Sequence, residues 1–125
     1  MAKTQKTLAE VDPVWNQITL EAREAVKGEP LLVGLVHACI LHHDSLDDAL
    51  AYRLAQKLAS SEMSEQLLRE IADQAYASDP TLAQSARADI VAVFERDPAC
   101  HRFVQPLMFF KGFQAVQAYR VAHWL

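Results

Sequence analysis

Apolar residues recur at steps of three and four along most of the chain, while sustained alternation of polar and apolar residues is absent. This periodicity is typical of amphipathic helices and not of strands. Asp12-Pro13 predicts the start of a first helix, because aspartate accepts hydrogen bonds from free N–H groups and proline fits the first helical turn. Gly28 predicts its end. The pattern as a whole predicts an all-α fold, a multi-helix bundle.

Apolar periodicity and capping residues also predict the interior helices. Residues 31–41 are apolar nearly all round, which predicts a central helix enclosed by the others. Ser45 opens the next helix with a capping box, and Arg53 and Lys57 are expected on its outward face. Its inward row consists of leucines one turn apart, namely Leu46, Leu50, Leu54 and Leu58.

Three more segments complete the predicted bundle. Apolar residues at helical steps predict a helix over 64–77. Asp79-Pro80 predicts the start of another, which Asp97-Pro98 must close or kink because proline disfavours the α conformation in the residue before it. Residues 107–125 are rich in bulky apolar side chains and carry no stop signal. We therefore expect the chain to end inside its last helix, and we expect this apolar segment to contact a further domain or a second chain.

Composition bounds the size and class of the protein. The chain has 125 residues, of which 51% are apolar and 22% charged, which indicates one compact domain. We expect residues 1–10 to form a flexible lead-in and residues 11–125 to form the helical domain. Only three glycines occur, so a glycine-rich phosphate-binding loop is excluded.

Charge and cysteine usage restrict the partners and the location. A net charge of −4 without a basic stripe argues against binding to nucleic acid or to an anionic membrane surface. No apolar stretch reaches the roughly 20 residues that cross a bilayer, and no apolar signal segment follows the amino terminus. Cys39 and Cys100 lie far apart and form no Cys-x-x-Cys motif, which favours reduced thiols and a cytoplasmic protein.

Two polar clusters are candidates for chemistry. Cys39 and His42 lie one helical turn apart, as zinc ligands do, but a structural zinc site needs four ligands and no partner motif is present, so we expect no metal site. Around Asp97-Pro98, charged residues surround a forced helix break, where binding groups concentrate. Two interpretations of Asp97 stay open: it caps a helix that begins at Pro98, or it binds a ligand.

The carboxyl-terminal third of the chain carries a specific motif. Arg96-Asp97-Pro98-Ala99 is followed after a short gap by residues 106–125, PLMFFKGFQAVQAYRVAHWL. Four shorter motifs precede it, and their order and spacing belong to the same pattern: Val14-Trp15, Glu21-Ala22-Arg23, Glu29-Pro30-Leu31 and residues 54–58, LAQKL. On these motifs the chain resembles, over nearly its whole length, the amino-terminal helical region of bacterial serine O-acetyltransferase.

The resemblance implies an activity and a second domain. The family transfers the acetyl group of acetyl-CoA to the hydroxyl of L-serine, the first step of cysteine biosynthesis, and cysteine is its feedback inhibitor. A left-handed β-helix follows the helical region in the family and carries the acetyl-CoA site and the catalytic His/Asp pair. That β-helix has no counterpart in these 125 residues. We therefore expect no catalytic residue, no bound cofactor and no acetyl transfer from this chain alone.

The resemblance assigns roles to few residues. Asp97 matches the family aspartate that binds the amino group of serine, and Pro98 lies beside it, so these are the two predicted substrate-binding residues. His123 matches a histidine of the connecting helix that is not the catalytic base. Phe109 and Gln114 replace the tyrosine and histidine of many relatives, and we expect both to be packing positions. The family also implies self-association into a hexamer and a contact with O-acetylserine sulfhydrylase through a carboxyl-terminal tail.

Two alternatives from other classes stay open. The first is a free-standing helical module for oligomerisation or protein interaction, which binds no ligand. The second is a zinc-binding bundle that uses Cys39 and His42.

Overall fold

The computed structural model describes residues 12–125, and every regular element in that range is helical. The all-α prediction is confirmed, while the predicted lead-in, residues 1–10, lies outside the described residues. The α-helices are α1 (Pro13–Gly28), α2 (Val33–Val36), α3 (Leu46–Leu58), α4 (Glu65–Ser78), α5 (Pro80–Arg96), α6 (Val104–Phe109) and α7 (Lys111–Trp124). A 3₁₀ turn, Pro30–Leu32, precedes α2, and a π-helix, His37–Leu41, follows it.

The predicted helix starts are confirmed by their caps. The Asp12 carboxylate accepts a hydrogen bond from the Trp15 amide at 3.1 Å and so begins α1. The Ser45 hydroxyl accepts from the Asp48 amide at 3.2 Å and begins α3. Asp79 begins α5 in the same way as Asp12, with proline in the first turn.

The predicted central helix over residues 31–41 is wrong. Leu31 is 90% exposed, and only Val36, Cys39 and Ile40 in this segment are buried. The backbone passes from a 3₁₀ turn through one α turn to a π-helix, and each change in hydrogen-bond step rotates the side chains that follow. An apolar segment of this kind therefore turns only one part of its surface to the core.

The central position belongs to α3. It contacts the π-helix, α4, α6 and α7, and seven of its residues are buried. Alanines on α3 and α4 allow the two helices to approach closely, and their buried members are Ala49, Ala51, Ala55, Ala72 and Ala75. The core thus forms around α3, and α1, α5 and α7 pack outside it.

The last apolar segment is divided into two helices. A single helix from Leu107 onward was expected, but Phe110 has an extended backbone, with φ −91° and ψ 104°, and separates α6 from α7. We call residues 109–111 the α6–α7 junction. None of the helices within residues 12–125 is long and apolar enough to cross a membrane.

Candidate functional site

A cleft of about 630 Å³ lies between the second half of α5 and the start of α7. Its lining is mostly apolar with a few polar groups, which is typical of small-ligand sites. One side is formed by α5 and the turn that follows it, with Asp89, Ala92, Val93, Asp97 and Ala99. The other side is formed by the α6–α7 junction and the first turns of α7, with Phe110, Lys111, Gly112, Phe113 and Val116.

Asp97 lies where α5 ends. Its amide still donates to the Val93 carbonyl at 2.9 Å, but its backbone is extended and the chain leaves the helix there. Its carboxylate Oδ1 accepts from the Ala99 amide at 2.9 Å, which closes a tight turn. No helix begins at Pro98 within the described chain, so the interpretation of Asp97 as the cap of such a helix is wrong.

The other carboxylate oxygen of Asp97 is available to a ligand. Oδ2 has no hydrogen-bond partner among residues 12–125, and the side chain is exposed at the cleft. The second carboxylate of the cleft is already paired, because Asp89 Oδ2 accepts from Gln117 Nε2 at 2.7 Å and from Arg120 Nη1 at 2.5 Å. Within the described residues, Asp97 is therefore the cleft carboxylate that can accept a ligand's ammonium group.

The structure separates the two predicted substrate-binding residues. Asp97 lines the cleft, whereas Pro98 is exposed in the adjoining turn and does not line it. Proline restricts the backbone of the residue before it, so Pro98 acts on the cleft through the extended conformation of Asp97. His123 lies on the exposed end of α7, where its ring stacks on Tyr119 with centroids 5.9 Å apart.

The opposite wall of the cleft depends on contacts that sequence reasoning missed. The α6 helix begins where the Glu21 carboxylate of α1 accepts from the Phe103 and Val104 amides, at 3.2 and 2.9 Å. At the other end of α6, Gln114 Nε2 donates to the Leu107 carbonyl at 2.9 Å, and Arg53 Nη2 donates to the Met108 carbonyl. Side chains from three other helices thus fix α6 at both ends.

Arg53 corrects a specific prediction. It was expected on the outward face of α3, but it is only 6% exposed. Arg53 lies three residues after Leu50 and seven after Leu46, which places it on the inward row of α3. This spacing could have predicted its burial from the sequence. Among the two residues predicted to be packing positions, Gln114 is buried, whereas Phe109 is 54% exposed, so that prediction is wrong for Phe109 within the described chain.

The zinc alternative finds no support in the described residues. Cys39 is fully buried and its Sγ accepts from Arg53 Nη1 at 3.7 Å, while the exposed His42 ring lies 5.4 Å from the ring of His37. Burial raises the pKa of the Cys39 thiol, which disfavours the thiolate that zinc requires. No group of three or more His, Cys, Asp or Glu side chains within residues 12–125 is arranged to hold a metal ion.

The fold and the cleft define a class: an all-helical domain with a mostly apolar cleft, lined by a carboxylate that has one oxygen without a hydrogen-bond partner among residues 12–125. A family model described as "Serine acetyltransferase, N-terminal" matches residues 14–118. The serine acetyltransferase of Escherichia coli strain K12 is 47% identical over 116 residues, which cover 93% of this chain and 42% of that protein. The chain belongs to the serine acetyltransferase family and corresponds to the amino-terminal helical domain of its members.

Solved structures agree with this assignment. A serine acetyltransferase in complex with cysteine matches with a TM-score of 0.88 and 45% identity, over 90% of this chain and 47% of that one. The serine acetyltransferase of Brucella abortus strain S19 in complex with coenzyme A matches with a TM-score of 0.89 and 41% identity, over 94% and 47%. The chain therefore spans under half the length of these relatives, and the predicted family resemblance is confirmed.

Proposed function

We propose that this chain is the helical domain of a cytoplasmic serine acetyltransferase and that it contributes Asp97 to the site for L-serine and for the inhibitor cysteine. One observation carries this proposal: Asp97 Oδ2 has no partner among residues 12–125, although Oδ1 is held by the Ala99 amide in the turn after α5. A carboxylate fixed through one oxygen presents the other in a defined direction. A ligand ammonium group can then bind without moving the turn.

Charge-assisted hydrogen bonds are stronger than neutral ones, and an ammonium group bound by a carboxylate gains both charge and direction. Serine and cysteine carry the same ammonium group, so one carboxylate serves the substrate and the inhibitor. Binding serine at its amino end orients the hydroxyl toward the reacting thioester, which lowers the entropic part of the barrier. In this proposal, Asp97 binds the substrate and does not take the proton from the serine hydroxyl.

The reaction itself needs groups from the rest of the enzyme. The serine oxygen attacks the thioester carbonyl of acetyl-CoA while a general base takes the hydroxyl proton. An ester bond forms, the carbon–sulfur bond breaks, and coenzyme A leaves as a thiolate that receives that proton. In our proposal the β-helix domain that the family resemblance implies for the whole protein supplies that base and the acetyl-CoA site. The Brucella relative is in complex with coenzyme A, which supports acetyl-CoA as the co-substrate. The 125-residue chain then binds no cofactor and is inactive alone.

The helical domain also serves assembly in this proposal. Exposed apolar side chains lie on several elements, including Leu31 at 90%, Tyr119 at 68% and Phe109 at 54% exposure. Burial of such groups between copies would stabilise a hexamer of the whole enzyme. O-acetylserine sulfhydrylase would bind through a carboxyl-terminal tail and not through this domain.

The test uses an active form: the full coding sequence, or residues 1–125 joined to the part of the Escherichia coli relative that follows the matched region. We expect Asp97→Asn to raise the KM for serine and the inhibition constant of cysteine together, each by about tenfold or more. The acetyl-CoA KM should not change. Unchanged serine kinetics would contradict the proposed role of Asp97 in binding serine and cysteine.

A further inference from the structure

The α6–α7 junction forms part of the cleft wall across from Asp97, and side chains from other helices help to fix it in addition to its own backbone hydrogen bonds. A short helix leaves its last carbonyl groups without intrahelical partners. In α6 two of these groups, Leu107 O and Met108 O, accept hydrogen bonds from Gln114 of α7 and Arg53 of α3. Without these donors, two buried carbonyl groups would lose partners, and the end of α6 would keep only the backbone bond from the Phe110 amide to the Pro106 carbonyl at 3.3 Å.

Arg53 is an unusual residue for this position. Its guanidinium group is buried, and its partners are neutral: the Met108 carbonyl, Gln56 Oε1 at 2.7 Å and Cys39 Sγ at 3.7 Å. No carboxylate of residues 12–125 forms an ion pair with it, and its Nε has no hydrogen-bond partner. A buried charge without a counter-ion does not favour stability. We therefore attribute to Arg53 a role in fixing the backbone position of Met108, and not a gain in stability.

That geometry continues into the cleft. The Met108 carbonyl lies two residues before Phe110, whose extended backbone turns the chain from α6 into α7. The Phe110 carbonyl accepts from the Gln114 amide at 3.1 Å and so begins α7. Phe110 and Phe113 then lie on the wall opposite Asp97. A shift at Met108 would move this wall as a unit.

We propose that Arg53, together with Gln114, is a positioning residue for the amino-acid site. It holds the α6–α7 junction so that the apolar wall stands at a fixed separation from the Asp97 carboxylate. Arg53 touches no ligand in this proposal and acts through Met108. The inference rests on the proposed function, because it takes serine and cysteine as the ligands of the cleft.

The kinetic test uses Arg53→Met in the active form. Methionine keeps an unbranched apolar chain and removes every donor, and replacement of a buried charge by an apolar group of similar size is often neutral for stability. We expect the serine KM and the cysteine inhibition constant to rise together by about three- to tenfold. The acetyl-CoA KM should stay unchanged. Arg53→Lys, which keeps one donor and the charge, should restore part of the loss.

Arg87→Met is the matched control. It also removes a guanidinium that joins helices, here through Asp12 and Asp47, but Arg87 donates no hydrogen bond to α6 or to the α6–α7 junction. We expect this variant to lose thermal stability and to keep the wild-type serine KM. If Arg53→Met fails to fold, Gln114→Met tests the other contact of the junction with the same expected direction.

A second measurement uses the 125-residue chain and needs no activity. Amide hydrogen exchange should become about tenfold faster at Phe110 and Gln114 in Arg53→Met, and stay unchanged there in Arg87→Met. Exchange at the junction equal to that of the wild-type chain would overturn the proposal.

The two proposals fail separately. If Asp97→Asn raises the serine KM and Arg53→Met does not, the positioning role is wrong and the proposed function stands. If Asp97→Asn leaves the serine KM unchanged, the proposed role of Asp97 in binding the ligand's ammonium group is wrong. Exchange at the junction then decides alone whether Arg53 fixes the cleft wall.

Discussion

Arg87 of α5 and Asp12 at the start of α1 form a two-point ion pair, with Nε 3.0 Å from Oδ1 and Nη2 2.7 Å from Oδ2. The same Asp12 carboxylate accepts from the Trp15 amide and caps α1. Arg87 also lies 3.5 Å from Asp47 in the first turn of α3. The hydrogen bond and charge of Asp12 outweigh desolvation and raise the pKa of Arg87 above its ordinary value. One guanidinium thus joins the amino-terminal ends of α1 and α3 to α5.

We predict that Asp12→Ala destabilises the chain by about 2 kcal/mol, because it removes a helix cap and a charged hydrogen-bond pair at once. Asp12→Asn keeps a capping oxygen and loses the charge, so about half of this effect is expected. Thermal or urea unfolding followed by circular dichroism measures both changes.

The matched control for this prediction is Asp79→Ala. Asp79 caps α5 through the Thr81 amide and hydroxyl, and it forms no ion pair among residues 12–125. Its loss should cost about 1 kcal/mol, the typical effect of a cap alone. Equal losses in Asp12→Ala and Asp79→Ala would show that the Arg87 pair adds nothing to stability.

From the contacts of Asp48 we predict that the folded chain loses stability in acid. Its Oδ2 lies 2.5 Å from His43 Nδ1, and its Oδ1 accepts from Arg69. Burial opposes the charge of Asp48, but the hydrogen bond from His43 and the charge of Arg69 outweigh burial, so the pKa lies below its ordinary value of 3.8. A carboxylate whose pKa is lower in the folded chain stabilises the fold at pH values above its ordinary, unfolded pKa. This stabilisation is lost as the pH falls through the lowered pKa of the folded chain.

The measurement compares the thermal midpoint of the wild-type chain with that of Asp48→Asn between pH 7 and pH 2.5. We expect the variant to be less stable at pH 7 and the difference to shrink below about pH 4. Glu24→Gln is the control, since Glu24 forms only an exposed pair with Lys27 at 3.5 Å. A difference for Asp48→Asn that is constant with pH would contradict the assigned pKa shift.

The two cysteines should be poor nucleophiles in the folded chain. Cys39 is 0% and Cys100 5% exposed, and burial raises the pKa of both thiols. A raised pKa leaves less thiolate at pH 7, and buried sulfur is inaccessible as well. We expect an aromatic disulfide reagent to modify neither thiol quickly in the native chain and both in denaturant. Rapid native labelling at Cys39 would mean that the π-helix region opens readily.

Local signals predicted the helix ends well, and long-range contacts explain the failures. Asp12, Ser45 and Asp79 act on amides two or three residues away, so their role is legible in the sequence. The position of the α6–α7 junction depends on Arg53, which lies 55 residues from its acceptor Met108. No local pattern reports such a pairing. The 90% exposure of Leu31, in the 3₁₀ turn before α2, is likewise not encoded in the apolar composition of its segment.

The candidate site also combines features that the sequence predicts with features that only the structure shows. The sequence predicts Asp97 as a binding residue for two reasons: binding groups are frequent where a helix breaks, and the motif around Asp97 is specific to one family. The state of its two oxygens, one held by Ala99 and one without a partner in the described chain, required the structure. The structure was also needed to show that Gln117 and Arg120 already donate to Asp89, which leaves Asp97 as the cleft carboxylate with an unpaired oxygen among residues 12–125.

The strongest prediction concerns activity. Residues 1–125 should release no coenzyme A from acetyl-CoA and serine above the buffer rate, because positioning of an ammonium group by Asp97 supplies neither a general base nor a thioester site. General-base catalysis alone contributes ~10²–10⁴-fold, so its absence removes measurable turnover. A thiol-release assay on the purified chain measures this, and the same chain joined to the part of the Escherichia coli relative that follows the matched region is the positive control. Turnover by the 125-residue chain, abolished in Asp97→Asn, would show that this domain holds its own catalytic groups.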